Sequence, residues 1–397
     1  MSEERTSSRR AGGERRIWNT AIKVRIHPTE AQAALCEKTF GCCRYLWNQM
    51  LADEQAFYAA ADVHFLPAPA RYKAGAPFLK EAVSQALVDV HQNLRQAFQR
   101  FFSQPEIYGY PQFRRKKGGR DSFKIPCQYY KSGSGSDIFL TRDGIRLPKL
   151  GIVRARFHRR PLHWWKLKSA TVSRTPAGKY YCSLLYAYEA AEKPAPAPEK
   201  TLDLRLSPLH FYEDSQGGRP DPPPWMGRSR EKLAEMQRRL ARMERGSRSY
   251  QDQLQKIRLQ HEHIANQRRD FVHKESRRIA NAWDAVCLRE LDLRALAQKL
   301  DQGGGDSGFG MFRQYLKYKL ARQGKAYILV DQFAPTARTC SHCGQENPGL
   351  GSREKTWVCP CCGAKLEREV NGARNIRDMG LAQFLQKFDC QERRPSA

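Results

Sequence analysis

The chain has 397 residues, room for two or three domains with real cores. Its 69 Lys+Arg stand against 41 Asp+Glu, a formal net charge of +28, which implies a polyanionic partner bound through phosphate neutralisation and counterion release. No run reaches the ~18 apolar residues of a membrane-spanning helix, and Met1-Ser2-Glu3-Glu4 opens no apolar signal-peptide core. The expected location is the cytoplasm, where disulfides are rare, so the 12 cysteines call for another use.

Residues 1–16, with Arg9, Arg10, Arg15 and Arg16, read as a disordered basic arm. Ile22, Val24 and Ile26 alternate with Lys23 and Arg25, which predicts a strand over 17–26. Pro28 ends it, and Thr29 can cap a helix over 30–60 marked by Leu35, Phe40, Leu46 and Met50. A second helix is expected over 84–102, with Leu87, Val90, Leu94 and Phe98 three or four apart. A loop over 109–124 sets Tyr110 and Phe113 beside Arg114, Arg115, Lys116, Lys117 and Arg120. Basic residues next to aromatics suit phosphates and exposed bases; the plainer alternative is a solvated charge run. Alternating runs within 137–190 suggest β-hairpins and a small barrel. Residues 193–200, Lys-Pro-Ala-Pro-Ala-Pro-Glu-Lys, form a stiff linker and an expected domain boundary.

Beyond the linker, 201–206 predicts a strand containing Asp203, and 211–212 a second one. Residues 228–283 read as a polar helical pair broken at Gly246, carrying Arg238, Arg239, Arg242, Arg245, Arg268 and Arg269. A short buried strand follows at 285–288, then a glycine-rich lid or turn at 303–310, a helix at 312–320 and a strand at 326–330. Strands alternating with helices make this half α/β.

Cys340-x-x-Cys343 and Cys359-x-x-Cys362 have the spacing of two zinc knuckles, with Gly344 and Gly363 at the same offset, where each backbone must turn sharply. Four protein ligands leave no open position, so a zinc ion here is structural. Cys361 is the odd one out, and Cys36, Cys42, Cys43, Cys127, Cys182, Cys287 and Cys390 read as small core residues.

After these knuckles comes Leu366-Glu367-Arg368-Glu369-Val370-Asn371-Gly372-Ala373-Arg374-Asn375-Ile376. Together with the 23–28 opening, Phe40-Gly41-Cys42-Cys43-Arg44 and the 109–117 loop, it resembles the TnpB proteins of insertion sequences, transposon-derived relatives of compact type V CRISPR effectors. The resemblance implies a multidomain α/β chain. A wedge β-barrel would comprise 17–30 and 109–192, and a helical recognition lobe 31–108. A RuvC/RNase H-like domain would span 201–335 and 366–390, interrupted by a zinc ribbon at 336–365, with a tail at 391–397. It also implies a guide RNA and a double-stranded DNA target beside a short adjacent motif. No membrane partner is expected, while an effector protein or a homodimer stays open. The family's nuclease uses three carboxylates and two divalent ions, one activating water and the other steadying the leaving oxygen.

The first carboxylate maps onto Asp203, and the glycine that often follows two residues later is Arg205. The second falls on Arg289, within Cys287-Leu288-Arg289-Glu290-Leu291-Asp292-Leu293. The third, normally Asp, is Glu369, a displacement near the ~1 Å that costs active sites much of their rate. Arg289 removes a ligand and adds a permanent cation, one able to pair with Asp203 or Glu369. The expectation is a nuclease-inactive RNA-guided DNA binder acting by occupancy, such as transcriptional repression. The alternative is a Mg²⁺-dependent endonuclease using Asp203, Glu290 and Glu369, which needs a bulge to turn Glu290 inward.

Overall fold

Alternation in the opening segment produces β1 (Arg15–His27), in which Ile22, Val24 and Ile26 are buried and Lys23 faces outward. The computed structural model describes residues 15–61, 64–116, 121–130, 135–191, 200–206, 210–214, 216–220, 224–290, 308–331, 333–351 and 354–392, apart from the side chains of 224–226 and 387–392. Residues 1–14 of the expected 1–16 arm and most of the expected linker thus lie outside the described residues, whereas Arg15 and Arg16, expected in the arm, begin β1 and pair with Ala191 and Ala190. The chain divides into two compact units, 14–191 and 192–397, the latter grouped with 1–13.

In the first unit α1 (Glu30–Ala61) starts on a reciprocal cap. Gln32 N donates to Thr29 Oγ1 at 3.3 Å and Thr29 N to Gln32 Oε1 at 3.0 Å. Two further helices follow, α2 (Pro69–Gly75) and α3 (Ser84–Ser103). Six more strands join β1: β2 (Asp121–Pro126), β3 (Phe139–Leu140), β4 (Gly144–Leu147), β5 (Gly151–Arg156), β6 (Lys166–Arg174) and β7 (Tyr180–Ala191). Their order is β2-β6-β7-β1-β5-β4-β3, all antiparallel. The expected barrel does not close, because its ends, β2 and β3, are not paired among the described residues. β3 supplies only two residues, and Pro126 at the end of β2 has no N–H to offer a ladder. Helices α1 and α3 lie against β2 instead, and Leu46, Met50, Leu87 and Leu94 share one core with Ile22, Ile125 and Leu184.

The second unit carries β8 (Thr201–Leu206), β9 (Tyr212–Asp214), α4 (Pro224–Ala241), α5 (Arg248–Ala282), β10 (Ala285–Arg289), α6 (Phe309–Gln323), β11 (Ala326–Val330), β12 (Thr356–Val358), β13 (Lys365–Glu367) and α7 (Arg368–Glu392). Gly246, at φ +92°, separates α4 from α5, and Ser247 caps α5 by accepting from Tyr250 N at 3.1 Å. Residues 303–307 of the glycine-rich stretch lie outside the described residues. The sheet order is β11-β10-β8-β9, parallel except for β9. Period-2 alternation gives it two buried faces. Leu202, Leu204, Val286 and Leu288 pack with Val272, Phe312 and Leu316 of α5 and α6, while Ala285, Cys287, Ile328 and Val330 pack with Ile376 of α7. No helix among the described residues is long and apolar enough to cross a membrane.

Candidate functional site

The α7 face of this sheet gathers the residues that the sequence singled out. Asp203, fully buried, stands opposite Cys287 in the β8–β10 register, and Arg205 follows two residues on, hence on the same face. Cys287 and Arg289 share that face by the same period. The Cys287 thiol lies 3.8 Å from the Arg377 carbonyl oxygen of α7, and α7 approaches so closely that a Cβ at Gly380 would lie 2.7 Å from the sulfur. Glu369 sits in the first turn of α7 and forms an ion pair with Arg205. Arg289 donates a long hydrogen bond to the Ala334 carbonyl at 3.4 Å. Glu369 is thus paired with Arg205, two residues after Asp203, whereas the sequence had offered Arg289 as a partner for either Asp203 or Glu369.

Electrostatics make the crowding plain. Burial lowers the Arg205 pKa, Glu213 opposes this, and Arg289 and Arg368 lower it further. Burial likewise lowers Arg289, opposed by Asp331. Arg377 is raised, chiefly by its hydrogen bond to Asp378, with Asp203 adding to the effect. Glu290 is exposed, and its N–H donates to Val330 O at 2.8 Å. The β10–β11 register runs unbroken from Ala285↔Ala326 to Arg289↔Val330, with no bulge to re-aim the strand. Glu290 thus falls on the Leu288 side, away from Asp203.

The four cysteines do converge. Their sulfurs all lie within 4.8 Å of one another, with Cys340–Cys362 at 3.7 Å and Cys343–Cys359 at 3.6 Å. A tetrahedron with ~2.3 Å arms has edges of about 3.8 Å, so the donor set fits one zinc ion. The knuckles are built alike. Gly344 N donates to Cys340 O and Gly363 N to Cys359 O, at 2.8 and 2.9 Å, with φ of +77° and +72°. Both glycines thus occupy the left-handed region that the sequence spacing called for. Cys361 is exposed and outside the cluster. Among the expected core thiols, Cys36, Cys42, Cys43, Cys182 and Cys287 are buried, Cys127 is half-buried, and the Cys390 side chain lies outside those described.

The basic loop of the first unit is held on α1 by residues that the sequence did not flag. Trp47 Nε1 donates to Gln112 O at 3.0 Å, and Asn48 brackets the Arg114 backbone at 2.7 and 3.0 Å. The Arg114 guanidinium lies 3.6 Å from the centre of the Trp47 ring. Phe113, Arg115 and Lys116 are exposed, whereas Lys117 and Arg120 lie outside the described residues. Tyr110 is an anchor, with its hydroxyl on buried Glu54 at 2.7 Å and its ring against Phe98 and Phe101. Arg238, Arg239, Arg242 and Arg269 are exposed, while Arg268 is half-buried with its stem against Gly308. Changing Arg238, Arg239, Arg242 and Arg245 to Gln is expected to weaken nucleic-acid binding. It should also flatten log K against log[salt] by about 0.9 for every duplex phosphate no longer neutralised. An unchanged slope in a salt titration would mean that these arginines are a solvated face.

A helix-packed antiparallel sheet and an α/β unit bearing a four-cysteine cluster together make a multidomain α/β fold. A solved Cas12f1–sgRNA–target DNA complex shares it, with a TM-score of 0.55 over 88% of this chain and 83% of that one at 13% identity. Residues 309–376 match the Cas12f1-like TNB domain and 202–300 the OrfB/IS605 domain described as "Probable transposase". Residues 16–62 match the OrfB/IS605 "Helix-turn-helix domain", although here they fold as β1 followed by α1. A Streptomyces pristinaespiralis protein named "Putative RNA-guided DNA endonuclease" is 31% identical, covering 91% of this chain and 89% of its own. A second, "Putative RNA-guided DNA endonuclease InsQ" of Escherichia coli, is 27% identical over 91% and 92%. The chain belongs to the TnpB/IS605 family.

Proposed function

We propose that the chain is an RNA-guided DNA-binding protein that holds its target without cutting it and acts by occupancy, for example as a transcriptional repressor. On this reading 201–335 and 366–390 are a RuvC-like domain, 336–365 a ribbon held by one structural zinc, and 31–108 a recognition lobe. Residues 17–30 and 109–192 then make up the wedge. The names of the relatives support a guide RNA and a DNA target, with base pairing reading sequence and the protein reading a short flanking motif. One observation carries the loss of cutting: β10 presents Arg289, not a carboxylate, on the Asp203 face, and no bulge brings Glu290 round to replace it.

Two divalent ions need several anionic oxygens converging within a few ångströms. Asp203 and Glu369 amid Arg205 and Arg289 do not fit that requirement. The second reading, a Mg²⁺-dependent endonuclease, rests on the names of the relatives. The experiment uses the protein with its co-purifying RNA and a matching duplex carrying the flanking motif, in Mg²⁺ or Mn²⁺. The expected result is a stable complex with both strands intact. Cleavage that disappears in Glu290→Ala would establish the endonuclease instead.

A further inference from the structure

Arg289 is one departure on this face, and Arg205 is a second with a different consequence. It lies two residues after Asp203, so the pleat carries both side chains to the side where α7 packs. Its guanidinium ends on Glu369, and both groups are partly buried, at 39% and 32% exposure. A carboxylate whose charge is already met by a guanidinium is less available to a metal, and the guanidinium holds its charge at every working pH. A divalent ion such as Mg²⁺ also needs room for the waters it keeps. The glycine that the family resemblance implies at this position would leave that room, and an arginine fills it.

Each arginine of the face moreover already has a carboxylate in range. Arg205 has Glu369 and Glu213 in range, Arg289 has Asp331, and Arg377 has Asp378 and Asp203. An added dication would displace pairs already made and meet the repulsion of several arginines.

We propose that Arg205 is a tethered counter-ion standing where a divalent ion would neutralise Glu369, so that restoring the carboxylates at 289 and 369 cannot restore metal binding while Arg205 remains. The proposal rests on the non-cutting reading, but its readout is metal uptake rather than cleavage. Wild-type cutting would overturn that reading, whereas the outcomes below decide the role of Arg205.

The test is Mn²⁺ titration of the full-length protein, following loss of the free-ion paramagnetic resonance signal. Wild type and Arg289→Glu/Glu369→Asp are expected to take up no Mn²⁺. Adding Arg205→Gly to that pair is expected to create uptake, with an unchanged zinc content and a cooperative melt. Equal uptake by the double and triple variants overturns the proposal, and so does a folded triple variant that takes up none. If the triple variant fails to fold, Arg205→Gly/Arg289→Glu decides. Its melting temperature should rise with Mn²⁺ while that of Arg289→Glu alone does not, and the absence of that difference refutes the tethered role.

Discussion

Changing Cys340 to Ser is expected to remove the zinc and unfold residues 336–367 while the first unit keeps its structure. Cys340 is fully buried and packs with Leu350, Trp357, Cys359 and Leu366, the small cluster under the knuckles. So few apolar side chains cannot hold some thirty residues on their own. A structural zinc supplies about 10–16 kcal/mol at neutral pH in finger-sized peptides, and three thiolates keep only part of it. Metal analysis should fall from one zinc per chain to none, and amides in 336–367 should exchange rapidly. Cys361→Ser is the control, since its exposed side chain lies outside the cluster, and its zinc content should match wild type. Native protein without zinc would defeat the assignment.

Local chemistry was legible in the sequence wherever a spacing has one physical solution. The knuckle glycines, the Thr29 cap and the break at Gly246 each follow from backbone geometry that few residues satisfy. Alternation likewise foretold β1, and a short apolar run foretold the buried strand β10. Closure of the first sheet was not legible, because it turns on whether two distant edges meet, and a two-residue β3 leaves no mark in periodicity. The packing of Tyr110 was hidden for a related reason. Its neighbours in sequence are basic, but its neighbours in space are Glu54, Phe98 and Phe101, from α1 and α3. The candidate site shows the same limit. Asp203, Arg289 and Glu369 were visible as positions, yet which arginine meets Glu369 depends on how α7 lies across the sheet. The usable signal was the glycine position filled by Arg205, whose shared face with Asp203 follows from the strand period alone.

Replacing Asn371 is expected to loosen both the ribbon and the candidate site, because this side chain couples them. Asn371 is 1% exposed; its Oδ1 accepts from Ser341 N at 2.8 Å and its Nδ2 donates to Thr339 O at 2.7 Å. One helical turn on, Asn375 donates to Thr336 O at 2.7 Å and Thr339 O at 2.6 Å. Spaced i,i+4, the two amides lie on one side of α7 and bind it to the first knuckle. Ala373 and Ile376 are buried in the same stretch of helix, and Glu369 begins it. This explains why the acid and the asparagines occur in one short run: the helix that presents Glu369 is fixed by Asn371 and Asn375. Asn371→Ala leaves the Ser341 N–H without its acceptor, a cost of about 1–3 kcal/mol for an unsatisfied buried donor. Asn371→Asp should cost more. It keeps the acceptor for Ser341 but turns a carboxylate oxygen toward Thr339 O and buries a charge. Asn371→Ala/Asn375→Ala should exceed the sum of its parts, since the two share Thr339 O. Denaturant melts give the costs, and exchange at the Ser341 amide gives the cause. If Asn371→Ala melts like wild type with that amide still protected, α7 is held by its apolar face alone and the coupling fails.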